Sequence, residues 1–319
     1  MSALPGVPAI GEARAVLAKY FPATPSVKAR SLSNSTVEVH LKLEIALPTG
    51  SFKPRGALYA LAKNLERKKI EEVTASSTGN HGAATAFAAR TLGVRATIFL
   101  PENANPVKRK KIEDLGASVV CKGSIDLAGA FVAANEYSRR SGIYFLNDAT
   151  DPDLPAGPGT IGLELTEQLT NISTVFVPMG DTALIRGVGS AIKQLSSQTR
   201  VIGVQAEKAP SYVLSWRAGK PIATETCDTC ADGLATRTPE ASNVAAIREV
   251  ADDVVLVSEQ QMLDAVKHLY NKENVLAEPA GAAATAAYLA NPVSGRVVLL
   301  VTGANISDEV RQQAGIENR

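Results

Sequence analysis

The sequence predicts an α/β protein with two domains, each a mostly parallel sheet covered by helices. Its strand-like segments are apolar throughout and alternate with amphipathic helical segments, which is typical of parallel sheets buried on both faces. Its 319 residues are many for one hydrophobic core and fit two domains of ordinary size. Hydrophobic residues make up 45% and charged residues 20% of the chain, as in globular proteins, which excludes disorder as the dominant state.

The predicted strands are short apolar runs, the first of which, VEVHLKLEI, alternates with period two. They cover residues 37–45, 73–76, 96–100, 117–121, 143–146, 174–178, 201–205 and 296–302. The predicted helices have apolar residues at helical spacing. They cover residues 55–69, 80–92, 106–115, 124–138, 160–169, 183–195, 258–270, 280–289 and 307–313.

A segment dense in Pro, Gly and Asp, residues 147–159, predicts the break between the two domains. It places residues 48–150 in a small domain, and residues 1–47 together with 151–319 in a large one. A second segment, residues 224–241, predicts a long polar loop.

The charge balance excludes several partners. With 33 Lys and Arg against 32 Asp and Glu, the net charge is +1, which gives no electrostatic footprint for nucleic acid or for anionic membranes. No apolar run is long enough to cross a bilayer, and the N-terminus has no signal-peptide pattern. Three cysteines, an odd number, argue against a disulfide framework. Together, these observations predict that the protein is located in the cytoplasm.

Ligands of parallel sheets bind beyond the carboxyl ends of the strands, so the loops that follow strands are the candidate sites. In the first, PTGSFKPRG (residues 48–56), Lys53 lies at a strand-to-helix junction. The helix dipole disfavours its ammonium form, and a partly buried lysine with a lowered pKa can act as nucleophile or base. A solvated surface lysine is the commoner alternative.

Three further loops follow predicted strands. SSTGNHG (residues 76–82) offers hydroxyls and helix N-terminal amides to a carboxylate or phosphate, although a simple N-cap explains it equally well. MGDTALIRG (179–187) offers amides to a phosphate but matches neither the Walker nor the dinucleotide pattern. VTGAN (301–305) follows the last predicted strand. Its Thr302 either presents a hydroxyl at the mouth of the sheet or only caps the strand before a turn.

Two other patterns are discounted. Cys227 and Cys230 have the spacing of half a zinc site, but no second pair exists, so they are predicted to be two loop thiols and no metal is expected. The basic run of residues 108–111 is predicted to be a solvated helix face.

Together and in this order, the loops resemble those of the fold-type II pyridoxal-phosphate enzymes, especially the branch of serine/threonine dehydratases and serine racemase. The resemblance extends from about residue 44 to residue 305. It is carried by TGSFKPRG (49–56), STGNHG (77–82), GPGTIGLE (157–164), ADGLA (231–235) and EPAG (278–281). It implies a tryptophan synthase beta-like fold, pyridoxal 5'-phosphate as cofactor and a homodimer.

The resemblance also implies roles for the matched residues. Lys53 would bind the cofactor covalently, with Phe52 also in contact, and would later take the Cα proton of the substrate. Asn80 would donate a hydrogen bond to the cofactor's phenolic oxygen, and Thr302 would face the pyridine nitrogen. Backbone amides would hold the phosphate at Gly180, Asp181, Thr182, Ala183 and Leu184. The amino-acid substrate would bind at Ser77, Thr78, Asn80, His81 and Gly233.

The implied reaction is β-elimination from a β-hydroxy amino acid such as L-threonine, L-serine or 3-hydroxyaspartate. The β-hydroxyl leaves as water, and the product hydrolyses to a 2-oxo acid and ammonia. Serine-type racemisation, β-replacement as in cysteine synthase, and a non-catalytic binding protein on the same fold stay open as alternatives.

Three departures from the family pattern bear on these roles. Asp181, Thr182 and Ala183 stand where dehydratases usually have glycines, and Asp181 suits a phosphate only if its side chain points away or caps the next helix. Gln205 stands where metal-binding relatives have Glu, which again predicts no divalent metal. Thr78 matches the second acid/base serine of serine racemase, where many dehydratases have alanine, so it is a candidate catalytic residue.

Overall fold

A computed structural model describes residues 4–77, 79–102, 104, 106–121, 123 and 126–316 of the protein. Its strands are β1 (Ser26–Lys28), β2 (Val37–Leu43), β3 (Glu72–Ser76), β4 (Arg95–Phe99), β5 (Ser118–Val120), β6 (Ile143–Phe145), β7 (Ile172–Pro178), β8 (Arg200–Ala206), β9 (Asp253–Val257) and β10 (Gly295–Val301). Its helices are α1 (Val7–Leu17), α2 (Lys53–Arg67), α3 (Asn80–Leu92), α4 (Pro106–Asp114), α5 (Leu127–Tyr137), α6 (Ala156–Gln168), α7 (Ala183–Leu195), α8 (Ser211–Ala218), α9 (Ala241–Val250), α10 (Glu259–Glu273), α11 (Pro279–Ala290) and α12 (Asp308–Gln313).

The strands form two sheets. The larger has the order β1-β2-β10-β7-β8-β9, and the smaller has the order β5-β4-β3-β6. Among the described residues, every neighbouring pair of strands is parallel except β1 with β2. The predicted fold class, an α/β protein with two mostly parallel sheets, is therefore confirmed. In the described part of the chain, every helix is too short or too polar to cross a bilayer.

Strand β10 shows why a central strand of this protein is apolar throughout. Val297, Leu299 and Val301 pack into one hydrophobic cluster, to which helix α11 contributes. Val298 and Leu300 pack into a second cluster, to which helix α7 contributes. Successive side chains of a strand point to opposite faces, so both faces of the larger sheet are covered by helices. A third cluster joins the smaller sheet to the alanine-rich α3 and to α2.

The structure differs from the sequence prediction mainly at the ends of elements. Helix α2 begins at Lys53 rather than at Arg55, because the fixed φ of Pro54 suits the first turn of a helix. The helix predicted from residue 124 starts outside the described residues and is observed from Leu127, where Asp126 caps it. Elements α1, β1, α8, α9 and β9 were not predicted.

A buried network of charged side chains fixes the first turn of α2 against the larger sheet. Arg55 donates to Glu44 from Nε at 2.7 Å and to Glu164 on α6 from Nη1 at 2.6 Å. Lys42 on β2 donates to the other oxygen of Glu164 at 2.6 Å. All four side chains are buried. Each carboxylate thus accepts from at least one cation, which a buried charge requires.

Candidate active site

The candidate site is a pocket of about 420 Å³ at the carboxyl ends of the strands. Strands β3, β6, β7 and β10 end at it, and helices α2, α3 and α7 begin there. Its size is that of ordinary small-molecule sites. The predicted site residues that line it are Phe52, Lys53, Ser77, Asn80, His81, Gly180, Asp181, Thr182, Ala183, Leu184, Gly233 and Thr302. The remaining one, Thr78, lies outside the described residues.

The loop before Lys53 is attached to the chain that follows β10. The amide of Phe52 donates to the carbonyl of Thr302 at 3.0 Å, and the amide of Ala304 donates to the carbonyl of Gly50 at 2.9 Å. An isolated antiparallel bridge joins Ser51 to the residue after Thr302. Gly50 adopts a positive φ of 72°, which only glycine adopts readily. These contacts place Lys53 at the pocket floor, next to Thr302.

The ammonium of Lys53 faces a carboxylate that the sequence analysis did not identify. Its Nζ lies 2.7 Å from Oδ2 of Asp148, in the loop after β6. Burial alone lowers the pKa of Lys53, but the charge and hydrogen bond of Asp148, with the charges of Asp181 and Glu278, outweigh it and raise that pKa. The predicted lowering was therefore wrong for this structure, because it considered the helix dipole and not a facing carboxylate.

His81 lies in the pocket wall beside the same carboxylate. Its Nε2 lies 2.9 Å from the carbonyl oxygen of Leu146, which can only accept, so Nε2 carries the proton. Its Nδ1 lies 3.8 Å from Asp148. Burial lowers the pKa of His81, with Lys53 acting in the same direction and Asp148 opposing it. The ring is therefore neutral near pH 7, and its Nδ1 faces Asp148 without a proton.

The loop between β7 and α7 has the features of an anion site. The first amides of α7 lack partners within the helix, and the helix dipole favours negative charge at this end. The hydroxyl of Thr182, the N-cap residue with φ 68°, is buried and has no hydrogen-bond partner among the described residues. A Cβ at Gly180 would clash with the carbonyl oxygen of Gly233, so glycine is needed for this close approach. Amides, a spare hydroxyl and the dipole together fit a phosphate.

Asp181, the acidic residue in this loop, does not cap α7. Its Oδ1 instead accepts a hydrogen bond from the hydroxyl of Thr236 at 3.1 Å. Burial, followed by the charge of Asp148, raises the pKa of Asp181 to about 6, against the opposing charge of Lys53. The side chain is thus held by another loop and does not form the helix cap that was one of the two arrangements expected from the sequence.

Asn80 is held by two side chains in the opposite wall of the pocket. Its Nδ2 donates to Oε1 of Glu278 at 2.6 Å, and its Oδ1 accepts from Nδ2 of Asn305 at 2.5 Å. A Cβ at Gly303 would clash with the same carboxylate oxygen of Glu278. Thr302, just before this glycine, is buried next to the site.

The side chains that line the pocket but were not predicted as site residues include Asp148, Glu278, Asn305 and Lys111. Asp148 lies in the segment assigned to the domain break. Glu278 and Asn305 lie in motifs already singled out, EPAG and VTGAN, but no role was given to them. The prediction that the basic run is a solvated helix face was wrong for Lys111, because the side chain of Lys111 is half-buried at the pocket.

Comparisons with known proteins show the family of the chain. Residues 18–303 match the family described as pyridoxal-phosphate dependent enzyme. The L-threonine ammonia-lyase of Thermotoga maritima is 39% identical over 84% of this chain and 67% of that protein. A catabolic L-threonine dehydratase of Staphylococcus aureus is 32% identical over 97% of this chain and 91% of that protein.

Two solved structures show the same fold. Maize serine racemase superimposes with a TM-score of 0.91 at 27% identity, over 98% of this chain and 97% of that one. The processed form of threonine deaminase isoform 2 from Solanum lycopersicum gives a TM-score of 0.89 at 27% identity, over 98% of this chain and 94% of that one. The chain therefore belongs to the pyridoxal-phosphate dependent enzyme family, and pyridoxal 5'-phosphate is its cofactor.

Proposed function

We propose that this protein is an ammonia-lyase that removes water and ammonia from a β-hydroxy amino acid such as L-threonine, L-serine or 3-hydroxyaspartate, giving a 2-oxo acid. The observation that carries the proposal is the placement of Lys53. Its amine lies in the pocket with the anion-binding end of α7, 2.7 Å from Asp148. The names of the Thermotoga maritima and Staphylococcus aureus relatives support the same reaction.

The residues present fit the cofactor. Lys53 supplies the amine, with Phe52 beside it. The loop amides of residues 180–184 and the unpartnered hydroxyl of Thr182 suit the phosphate. Asn80 and Thr302 supply a hydrogen-bond donor and a hydroxyl for the ring. When bound, pyridoxal phosphate supplies the electron sink that stabilises negative charge at Cα of the substrate.

The side chains around Lys53 determine where protons go. Lys53 acts as the general base in its neutral amine form and takes the Cα proton of the substrate. Asp148, 2.7 Å from Nζ, stabilises the ammonium that results. The neutral His81 ring adds no competing positive charge. The substrate carboxylate binds near Ser77, Asn80 and His81, while Gly233 contributes backbone to the facing wall.

Release of 2-oxo acid tests this proposal. Purified protein with pyridoxal phosphate would be assayed on L- and D-serine, L-threonine, 3-hydroxyaspartate isomers and 3-phenylserine. We expect release from at least one of them. No release from any, with the visible absorption band of the bound cofactor present, would contradict the lyase and favour racemisation or β-replacement.

Asp181 gives a pH-dependent prediction about the cofactor. With a pKa of about 6, its carboxyl is neutral below that pH and negative above it, next to the phosphate site. Asp181→Asn should therefore tighten pyridoxal phosphate binding about tenfold at pH 8 and change it little at pH 5. Absorbance titrations at both pH values measure the dissociation constants.

The matched control is Asp232→Asn, which changes another carboxylate of the pocket outside the phosphate loop. We expect a similar dissociation constant for this variant and the original protein at each pH. A gain for Asp181→Asn that is the same at pH 5 and pH 8 would contradict the electrostatic argument.

Racemisation is the second candidate function, favoured by the similarity to maize serine racemase and by the hydroxyl at position 78. Thr78 would act as acid/base on the face of Cα opposite Lys53. Thr78→Ala should then abolish formation of the D-isomer while 2-oxo acid release continues. Loss of both activities would indicate that Thr78 only binds the substrate.

Other parts of the proposal rest on sequence and resemblance. We expect a homodimer in the cytoplasm, with residues 48–150 as the small domain for cofactor and substrate, and the rest as the large cofactor-binding domain. No metal is expected, in keeping with Gln205, whose Oε1 accepts from the amide of Val213 at 3.0 Å. Light scattering measures the oligomeric state directly.

A further inference from the structure

A row of polar side chains runs along one wall of the pocket from a cation to an anion. Nζ of Lys111, on α4, donates to Oδ1 of Asn305. Nδ2 of Asn305 donates to Oδ1 of Asn80, and Nδ2 of Asn80 donates to Oε1 of Glu278 at 2.6 Å. The order Lys111–Asn305–Asn80–Glu278 therefore has a donor-to-acceptor direction that never reverses.

The direction is fixed at Asn305, where both hydrogens of the NH2 group are donated and the oxygen accepts from Lys111. Its Nδ2 also donates to the carbonyl of Thr49 at 3.0 Å. If the amide were reversed, its oxygen would face the Thr49 carbonyl and its NH2 group would face the Lys111 ammonium. Like groups would then meet at both ends, so only one orientation satisfies the contacts.

Asn305 and the carboxylate of Glu278 together determine the orientation of Asn80. Because Asn305 presents an N–H, Asn80 must present its oxygen, and its NH2 group points towards Glu278. One hydrogen of that NH2 group is donated to Glu278. The described residues supply no acceptor for the other, and Asn80 lines the pocket. A ligand atom that accepts a hydrogen bond can therefore use it.

Lys111 is suited to hold this arrangement rather than to neutralise a neighbour. Its Nζ donates to two neutral oxygens, that of Asn305 and the carbonyl of Thr49 at 3.2 Å. It forms no ion pair within the described part of the chain. Burial lowers the pKa of Lys111, while Glu278 opposes this. By contrast, the preceding residue, Lys110, points to solvent and pairs with Asp114.

We propose that Lys111 is a positioning residue that orients the Asn80 amide through Asn305, so that a hydrogen of Asn80 faces the phenolic oxygen of pyridoxal phosphate. This inference rests on the proposed role of Asn80 at the cofactor. Removing Lys111 takes away the described donor to Oδ1 of Asn305, so the amides of Asn305 and Asn80 are then held only by Thr49 and Glu278. We expect the hydrogen of Asn80 to be presented to the cofactor oxygen less firmly.

The test compares Lys111→Met with Lys110→Met, a change of the same kind one residue earlier on α4. Lys111→Met should raise the dissociation constant for pyridoxal phosphate about tenfold and shift the pH midpoint of the cofactor's visible absorption band. Lys110→Met should change neither. Lys111→Arg, which keeps a charged donor, should restore at least part of both properties.

A coupling experiment distinguishes this route from a general loss of structure. If Lys111 acts through Asn80, Lys111→Met should have little further effect on either readout in a protein that already carries Asn80→Ala. Additive effects of the two changes would overturn the inference. The inference would also be overturned if Lys111→Met lowered the melting temperature of the cofactor-free protein but left the cofactor affinity and the pH midpoint of the absorption band unchanged.

The same variants separate this inference from the proposed function. If Asn80→Ala itself leaves both readouts unchanged, the role of Asn80 at the cofactor is wrong, and the inference falls with it. If Asn80→Ala changes them and Lys111→Met does not, only the positioning role is overturned. The 2-oxo acid assay is independent of both results.

Discussion

Replacing Lys53 with alanine is expected to abolish 2-oxo acid release and the visible absorption of the bound cofactor. The change removes the amine that faces Asp148 at 2.7 Å, and with it the proposed covalent link to the cofactor and the general base. A positioned base contributes up to about 10⁴-fold, and loss of the covalent link adds to this. We therefore expect kcat/KM to fall by about 10⁴-fold or more, measured in the 2-oxo acid assay.

A second lysine of the same helix provides the control. Lys63 lies on α2 outside the pocket and pairs with Glu12 and Glu66. Lys63→Ala should keep both the absorption band and the activity close to those of the original protein. A Lys53→Ala protein that still released 2-oxo acid at the original rate would show that another group takes the Cα proton.

Replacing Glu164 with leucine is expected to lower the free energy of unfolding by about 3–5 kcal/mol. Glu164 is buried and accepts from both Arg55 and Lys42, so its removal leaves two buried cations to share Glu44. Chemical denaturation followed by circular dichroism measures the change. Glu167→Leu, on the same helix, removes only an exposed pair with Arg14 and should cost less than about 1 kcal/mol.

Glu164→Leu is also expected to change how the free energy of unfolding depends on pH in the acid range. Burial raises the pKa of Glu164, but Arg55 and Lys42 outweigh it, so its folded-state pKa lies below its ordinary value. The stability it contributes is present above the unfolded-state pKa and is lost as the pH falls through the folded-state value. Glu164→Leu should therefore lose less stability on acidification than the original protein. Equal slopes for the two proteins would contradict this.

The sequence was sufficient for those features that depend on local patterns. The apolar run of β10 predicted a strand covered on both faces, and its alternate side chains do pack into two different clusters. The loops that follow strands were predicted to hold the site, and they meet in one pocket. Both predictions needed only the period of the side chains and the direction of the strands.

The rest depended on contacts between residues far apart in the chain. The position of Lys53 was predicted, but the direction of its pKa shift was wrong because Asp148 is distant in sequence. Lys111 is one of several lysines in a basic run, and no local pattern distinguishes the one that reaches Asn305. Strand β9 was not predicted, although DVVLV has an ordinary strand pattern.

The attachment of Phe52 to Thr302 has a consequence for the order in which the protein is made. The ribosome releases the lysine loop early, but the backbone that holds that loop belongs to the end of the last strand. Strand β2 likewise pairs with β10 along its whole length. Such distant pairing makes folding slow. A nascent chain therefore cannot complete the cofactor site until the residues of β10 have been synthesised.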